Sequence, residues 1–180
     1  MKVLVDTPIW SYALRTRKKE YQYEIEQLES LIKDQRALII GPIRQEILSG
    51  YSDFKKFKKL KEKLSYFENS LIQDSDYESA AEMCNQCRKK GIQGSHIDFL
   101  ICAVANRLDV PIFTTDKDFF LYKKVLSIKL FDLERSQPIA KPDRKNYAGL
   151  RKGQFKLVGL EAGRLAQEVG PIDPLTKCPL

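Results

Sequence analysis

The stretch between residues 97 and 105 constrains the fold more than any other part of the chain. Every residue from Ile97 to Ala105 is apolar except Asp98. A helix that is apolar on all sides must be covered on all sides, so the chain has to supply other elements on more than one flank of this segment. Asp98 then stands as a single carboxylate at the start of a buried helix.

Two interpretations of Asp98 are open. Ser95 lies three residues before it. That is the spacing of a capping box, in which the two side chains bind the first amide groups of a helix. In the other interpretation, Asp98 belongs to a group of acids that acts on a ligand.

Three further acids have simple explanations when each is taken alone. Asp6 precedes Thr7-Pro8, where a helix cap is common, Glu46 lies at the edge of an apolar helical face, where a salt bridge would suffice, and Asp116 follows an apolar run, as turn acids do. Their combination with Asp98 is more informative. Carboxylates that gather without matching bases repel one another unless a cation neutralises them, so the four acids together indicate a divalent metal.

The order of elements predicts that these acids meet. Apolar runs typical of strands fall at residues 3–5, 37–40, 71–73, 110–115 and 127–131. Helical patterns fall at residues 8–14, 19–33, 43–48, 51–67, 77–90 and 95–105, with a short helix or turn at 118–124. Alternating strands and helices predict an α/β fold with a mainly parallel sheet, whose ligands gather beyond the carboxyl ends of the strands. Asp6 and Asp116 both follow strands directly.

Composition narrows the class of protein. A chain of 180 residues with 43% apolar composition suffices for one domain with a sizeable core. Its apolar runs fall far short of the roughly 18–20 residues that a membrane span needs, and its start lacks a signal-peptide pattern. We therefore expect a soluble, cytoplasmic protein. Cys84 and Cys87 form a CxxC pair with no second ligand pair, so we expect reduced structural thiols rather than a zinc or redox site.

The segment 135–180 differs from the rest of the chain. It holds nine Lys/Arg but four Asp/Glu, and so supplies most of the net charge of +7. It also holds five of the eight prolines and five of the nine glycines, with no sustained periodicity. We expect residues 1–134 to form the folded domain and residues 135–180 to be a basic extension, flexible or non-native, that folding does not need.

Each of the four acids lies in a short sequence motif. The motifs are Val-Leu-Val-Asp6-Thr-Pro-Ile-Trp, Arg-Gln-Glu46-Ile-Leu, His-Ile-Asp98-Phe-Leu-Ile-Cys-Ala and Phe-Thr-Thr115-Asp116-Lys-Asp118-Phe. They resemble the four motifs of PIN-domain ribonucleases, most closely the VapC-type toxins of bacterial toxin–antitoxin modules. The match spans residues 1–134, with the motifs in the family's order and spacing. The basic extension departs from the family's usual compact length.

The resemblance implies a three-layer α/β/α sandwich around a mainly parallel sheet, an acidic pocket that holds Mg²⁺ or Mn²⁺, and endonucleolytic cleavage of RNA. It also implies a homodimer and a small cognate antitoxin that covers the pocket. By position, the metal-coordinating acids are Asp6, Glu46, Asp98 and Asp116, the family's hydroxyl residue is Thr115, and a further candidate ligand is Asp118.

The chemistry also follows from the residues themselves. A metal held by hard oxygen ligands lowers the pKa of bound water and neutralises charge that develops on a phosphodiester. An acidic pocket repels RNA, so basic side chains must hold the strand. Candidates after the first helix are Arg15, Arg17, Lys18 and Lys19, and candidates on the 51–67 helix include Lys55, Lys58 and Lys59. These helical lysines are also explained as a solvated face.

Other classes of protein fit the sequence less well. His96 is the sole histidine, which excludes a paired-histidine ribonuclease, and we assign it to the start of the buried helix. A haloacid-dehalogenase-type phosphatase needs a second Asp where Pro8 stands, and a receiver domain finds only Asp74 after the third strand. A catalytically silent PIN-like module that binds RNA or protein stays open beside the nuclease.

The first two predicted helices offer a surface for an antitoxin. Its residues are Ile9, Trp10, Tyr12, Ala13, Leu14, Tyr21, Tyr23 and Ile25. Together they carry more aromatic and aliphatic surface than a short helix pair needs for its core. Inward packing, or a contact between two copies of the chain, would explain the same residues.

Overall fold

Three short parallel strands form the centre of the fold in the computed structural model, which describes residues 1–15 and 19–131. β1 (Val3–Val5) lies between β2 (Ala37–Leu38) and β3 (Ile112–Phe113). All of β1 is buried, which accounts for the uninterrupted apolar sequence of a strand that is covered on both faces. Both pairings are parallel, so the carboxyl ends of the three strands share one edge of the sheet.

On the β2 side, the sheet continues through a single bridge. Ile39, directly after β2, forms a parallel bridge with Asn69. The strand predicted at residues 71–73 is wrong, because the pairing falls at Asn69 and the chain has turned outward at Leu71, which is 82% exposed. An apolar sequence run alone does not show where along it a chain meets the sheet edge.

On the β3 side, the predicted strand at residues 127–131 is reduced to one parallel bridge, between Ile112 and Leu130. The Ile112 N–H donates to the Lys129 carbonyl at 2.9 Å, and the Phe131 N–H donates to the Ile112 carbonyl at 2.8 Å. These two hydrogen bonds attach the end of the described chain to the sheet.

Helices flank the sheet and give the three-layer α/β/α sandwich that the sequence predicted. In the described ranges they are α1 (Thr7–Arg15), a 3₁₀ turn (Lys19–Tyr21), α2 (Gln22–Lys33), α3 (Gly41–Ser49), α4 (Phe54–Leu64), α5 (Asp74–Lys89), α6 (His96–Arg107) and α7 (Asp118–Tyr122). Each overlaps a segment predicted to be helical. α3 starts two residues earlier than predicted because Pro42 fits the first turn, where a missing amide hydrogen leaves no bond unmade.

α6 is the buried helix that the sequence predicted, and a capping box begins it. The Asp98 N–H donates to the Ser95 hydroxyl at 3.0 Å, and the Ser95 N–H donates to Asp98 Oδ2 at 3.2 Å. All residues from Phe99 to Ala105 are buried, whereas Ile97 is 38% exposed. The capping interpretation of Asp98 is therefore confirmed.

An ion pair with a buried carboxylate fixes α6 against α5. Arg107, at the end of α6, donates to Asp76 Oδ1 at 2.7 Å, and the Gln73 N–H donates to the other Asp76 oxygen at 2.8 Å. Burial raises the pKa of Asp76, but the hydrogen bonds from Arg107 and Gln73 outweigh it and leave that pKa below its usual value. Asp76 is 2% exposed, so this contact sets the position of a helix that carries Asp98 at its other end.

The apolar face of α1 packs inward, which corrects the predicted antitoxin surface. The members of that surface that lie in the core are Ile9, Trp10, Ala13, Leu14 and Ile25. The Trp10 indole N–H donates to the Val5 carbonyl at 3.1 Å, and its ring meets Phe67 edge-on at 5.2 Å. Inward packing, which the sequence left open, is the explanation for these five residues.

Several sequence-based expectations fall beyond the structural description. The structure does not describe the extension at 135–180 or the boundary at residue 134. It also does not describe the side chains of Arg15, Arg17, Lys18 and Lys19.

The cysteines in the described residues carry no disulfide: Cys84, Cys87 and Cys102 are free thiols. Across residues 1–15 and 19–131, the longest apolar helices are too short to cross a membrane.

Candidate active site

Asp6 occupies the centre of the strand-end edge, directly after the middle strand of the sheet. It is 5% exposed. The Thr7 N–H donates to Oδ1 and the Thr114 hydroxyl donates to Oδ2, both at 2.7 Å. Burial raises the pKa of the Asp6 carboxyl to about 6, against the effect of these hydrogen bonds, and the charges of Asp98 and Glu46 raise it further.

Glu46, on α3, is connected to this edge by a hydrogen bond from the Thr7 hydroxyl. The Thr7 side chain donates to Glu46 Oε2 at 2.7 Å, across 39 positions of sequence. Thr7 is buried and its backbone also binds Asp6, so one residue positions two of the four acids. Glu46 itself is exposed and therefore faces the solvent side of the edge.

Thr114 joins the end of β3 to the same carboxylate. Its hydroxyl donates to Asp6 and accepts a hydrogen bond from the Asp116 N–H at 2.9 Å. Asp116 Oδ1 in turn accepts from the Asp118 N–H at 2.9 Å, at the start of α7. The loop between β3 and α7 is thereby shaped around Asp6.

Asp98 enters from the buried helix and is held by Tyr122. The Tyr122 hydroxyl donates to Asp98 Oδ2 at 3.0 Å, and this is the same oxygen that accepts from the Ser95 N–H. Tyr122 is fully buried. Burial, followed by the charge of Asp98, raises the pKa of Tyr122 far above its usual value, so the phenol stays a hydrogen-bond donor.

Thr115 points to a different partner from its neighbour. Its hydroxyl lies 3.0 Å from the Tyr12 hydroxyl, and the Tyr12 ring stacks on Tyr21 with centroids 3.8 Å apart. Of these two threonines, Thr114 is the one whose hydroxyl binds a carboxylate, and its role was not predicted from the sequence. The role predicted for Thr115 stays a prediction.

A separate hydroxyl donor binds each of three acids: Thr114 binds Asp6, Thr7 binds Glu46 and Tyr122 binds Asp98. The charges of Asp98 and Glu46 raise the pKa of Asp6, and the Thr114 hydroxyl connects Asp6 to the backbone N–H of Asp116. In residues 1–15 and 19–131, no three acidic, His or Cys side chains are already arranged to enclose a metal ion. The donor atoms are nevertheless carboxylate and hydroxyl oxygens, which are the ligands that hard divalent cations prefer. By its chemistry the set fits Mg²⁺ or Mn²⁺.

The predicted RNA-binding lysines Lys55, Lys58 and Lys59 lie on α4, which contacts the helix that carries Glu46. Lys55, Lys58 and Lys59 are exposed on α4. Arg44 of α3, two residues before Glu46, donates to the Leu64 carbonyl at 2.7 Å and also to the Phe67 carbonyl, which fastens the end of α4 to α3. The lysine helix is therefore attached to the helix that carries one of the acids.

The family model of the PIN domain matches residues 3–125 of the chain. The chain belongs to the PIN domain family. This match covers all four acids and every described strand, so the site belongs to the PIN domain itself.

Solved structures give this PIN domain the same fold. It resembles FitAcB from Neisseria gonorrhoeae at a TM-score of 0.60 and 21% identity, over 74% of this chain and 99% of that one. It also resembles VapBC2 from Rickettsia felis, solved bound to a DNA fragment from their promoter, at a TM-score of 0.57 and 21% identity, over 73% and 98%. A third similar structure, FitAB bound to IR36 DNA, gives a TM-score of 0.59 and 18% identity, over 76% and 98%. No curated protein matches the sequence significantly.

Asp6→Asn should stabilise the metal-free protein in a pH-dependent way. The rise of the Asp6 pKa from 3.8 to about 6 corresponds to about 3 kcal/mol of disfavoured charge in the folded state above pH 6. As the pH falls from 6 to 4, the folded state takes up the proton first and the penalty disappears. With allowance for altered hydrogen bonds, we expect a gain of about 1–3 kcal/mol in the free energy of unfolding at pH 8, falling to near zero at pH 4.

Urea denaturation in chelator at pH 8, 6 and 4 measures this effect. Glu82→Gln, which removes an exposed acid of α5, is the matched control and should change nothing at any of these pH values. A gain of equal size at all three pH values, or a loss at pH 8, would contradict the assigned cause.

Proposed function

We propose that this PIN domain is a metal-dependent endoribonuclease and the toxin of a toxin–antitoxin pair. The observation that carries the proposal is the burial of Asp6 at the end of the central strand, with Asp98 and Glu46 near enough to raise its pKa. Such an arrangement destabilises the empty fold, and shifted carboxyl pKa values of this kind concentrate at functional sites. A cation would remove the repulsion.

The residues that would hold the ion are Asp6, Glu46, Asp98 and Asp116, with Asp118 beside them. Bound Mg²⁺ or Mn²⁺ lowers the pKa of a water molecule and neutralises charge on the phosphodiester. Thr7 orients Glu46, and Thr114 orients Asp6 and the backbone of Asp116. These hydroxyls hold the carboxylates in place before the ligand arrives, which reduces the loss of side-chain freedom on binding.

The lysines of α4 support a nucleic acid as the substrate, which we propose to be RNA. A carboxylate cluster repels phosphates, so a nuclease needs positive charge beside it to hold the strand. Lys55, Lys58 and Lys59 supply such charge on the helix that Arg44 fastens to α3. Arg15, Arg17 and Lys18 remain predicted contributors.

A cognate antitoxin is proposed as the partner. The motifs resemble those of VapC-type toxins, the fold resembles VapBC2 solved with a DNA fragment from their promoter, and a nuclease of cellular RNA needs a means of restraint. The buried face of α1 does not supply the docking surface. Exposed apolar side chains close in sequence to the acids are better candidates for the docking surface. Ile97 precedes Asp98 and is 38% exposed, and Phe120 and Leu121 of α7 are 54% and 41% exposed. A homodimer stays a prediction beside this partner.

The nuclease proposal predicts that Asp98→Ala abolishes cleavage of RNA in Mg²⁺. Loss of one carboxylate from the metal site removes both binding and the activation of water, so we expect a fall in rate of at least about 100-fold. The measurement is cleavage of a single-stranded RNA and of the matching DNA, with circular dichroism to show that the fold persists.

Glu82→Gln again serves as control and should cleave at the wild-type rate, and chelator should stop both active proteins. If the wild-type chain binds RNA in Mn²⁺ without cutting it, the silent RNA-binding module replaces the nuclease. If Asp98→Ala cuts as fast as wild type, these acids are not the catalytic ones.

The partner proposal predicts that a small protein encoded next to this chain binds it and blocks cleavage. Phe120→Ser and Leu121→Ser should weaken that binding at least 10-fold without changing the nuclease rate, because both side chains are exposed in the free chain. Phe54→Ser, at a 75% exposed side chain of another helix, is the control that should leave binding unchanged. Co-purification and size-exclusion chromatography measure the binding, and titration of the small protein into the cleavage assay measures the inhibition. Absence of any inhibitory neighbour would favour a free-standing nuclease.

A further inference from the structure

The side chain of Asp98 is restrained on one of its two oxygens. Both hydrogen bonds that it accepts in the described part of the chain fall on Oδ2, from the Ser95 N–H at 3.2 Å and from the Tyr122 hydroxyl at 3.0 Å. The capping box alone would fix the carboxylate through a single backbone donor. The second donor comes from another helix, 24 positions away in sequence.

Tyr122 itself is held rigidly. It is fully buried on α7, and its ring packs against Phe99 with centroids 5.0 Å apart and against Phe119 at 5.4 Å. A ring enclosed on two sides by aromatic neighbours loses little further freedom when its hydroxyl forms a hydrogen bond. The phenol therefore acts as a fixed donor toward Asp98.

Gly94 creates the space that this geometry requires. A Cβ at position 94 would lie 2.1 Å from the Tyr122 hydroxyl oxygen and 2.7 Å from Cζ, far inside van der Waals contact. Any larger residue would push the end of the tyrosine ring aside, away from its present contact with Asp98. The glycine is needed for close approach, and its position directly before Ser95 ties the space to the start of α6.

We propose that Tyr122 is a positioning residue that acts through Asp98, and that Gly94 makes this possible: the phenol fixes Oδ2 so that Oδ1 stays available for the divalent cation. This inference rests on the proposed function, because it assumes that Asp98 is a ligand. Hydrogen bonds that orient a ligating carboxylate affect the affinity for metal by about 10- to 100-fold when they are removed. A tyrosine whose hydroxyl is merely satisfied by a nearby acid would have no such effect.

The test is Mn²⁺ affinity, measured by isothermal titration calorimetry on the full chain, for wild type and Tyr122→Phe. The substitution removes one oxygen and leaves the ring packing, so the fold should persist with its Tm close to that of wild type. We expect at least about 10-fold weaker Mn²⁺ binding. The Mn²⁺ concentration for half-maximal RNA cleavage should rise equally, while the rate at saturating Mn²⁺ approaches that of wild type. Tyr77→Phe, at an exposed tyrosine of α5, should leave the Tm, the Mn²⁺ affinity and the Mn²⁺ dependence of cleavage unchanged.

Gly94→Ala supplies a second and independent variant, because it keeps the hydroxyl but displaces it. We expect a similar loss of Mn²⁺ affinity, and in the double variant with Tyr122→Phe we expect much less than the product of the two losses, since both act on one contact. Unchanged Mn²⁺ affinity in Tyr122→Phe, with wild type binding normally, would overturn the positioning role and leave the proposed nuclease intact. Failure of wild type to bind Mn²⁺ at all would overturn both.

Discussion

The rest of the structure depends on one buried carboxylate at the end of the central strand. Burial raises the pKa of Asp6 to about 6, even though Thr7 and Thr114 donate to its two oxygens and favour the charged form. Those two hydroxyl-bearing residues extend the constraint outward, since Thr7 also holds Glu46 and Thr114 also holds the amide of Asp116. The geometry of the acidic edge is thus organised around a single unfavourable burial.

The fold keeps this arrangement through contacts made by the helices that carry the acids. α6 brings Asp98 to the site, and its other end is anchored by the bond from Arg107 to the buried Asp76 carboxylate. α3 brings Glu46, and Arg44 on the same helix fastens the lysine helix beside it. On α6, a stabilising contact at one end of the helix holds Asp98 in place at the other end, near carboxylates of like charge.

The sequence predicts the elements that have strong local patterns and fails where tertiary pairing decides. The run from residue 97 to 105 predicts a buried helix because its composition leaves no polar face. The capping interpretation of Asp98 is confirmed, and it leaves the site interpretation open, because the bonds that Asp98 accepts from Ser95 and Tyr122 both fall on Oδ2. The choice between Thr114 and Thr115 depends on strand register, since adjacent side chains point to opposite faces. Likewise, the pattern of α1 shows an apolar face but not that Trp10 turns inward to reach the Val5 carbonyl.

The most direct measurement is a crystal structure of the chain grown with Mn²⁺, in which anomalous scattering locates the ion. The account predicts one strong peak at the strand-end edge, in direct coordination with carboxylate oxygens of Asp6 and Asp98. It also predicts that Asp98 keeps its Oδ2 bond to Tyr122 while Oδ1 binds the ion. A structure at millimolar Mn²⁺ with no peak at these acids, or with the ion held elsewhere, would contradict it.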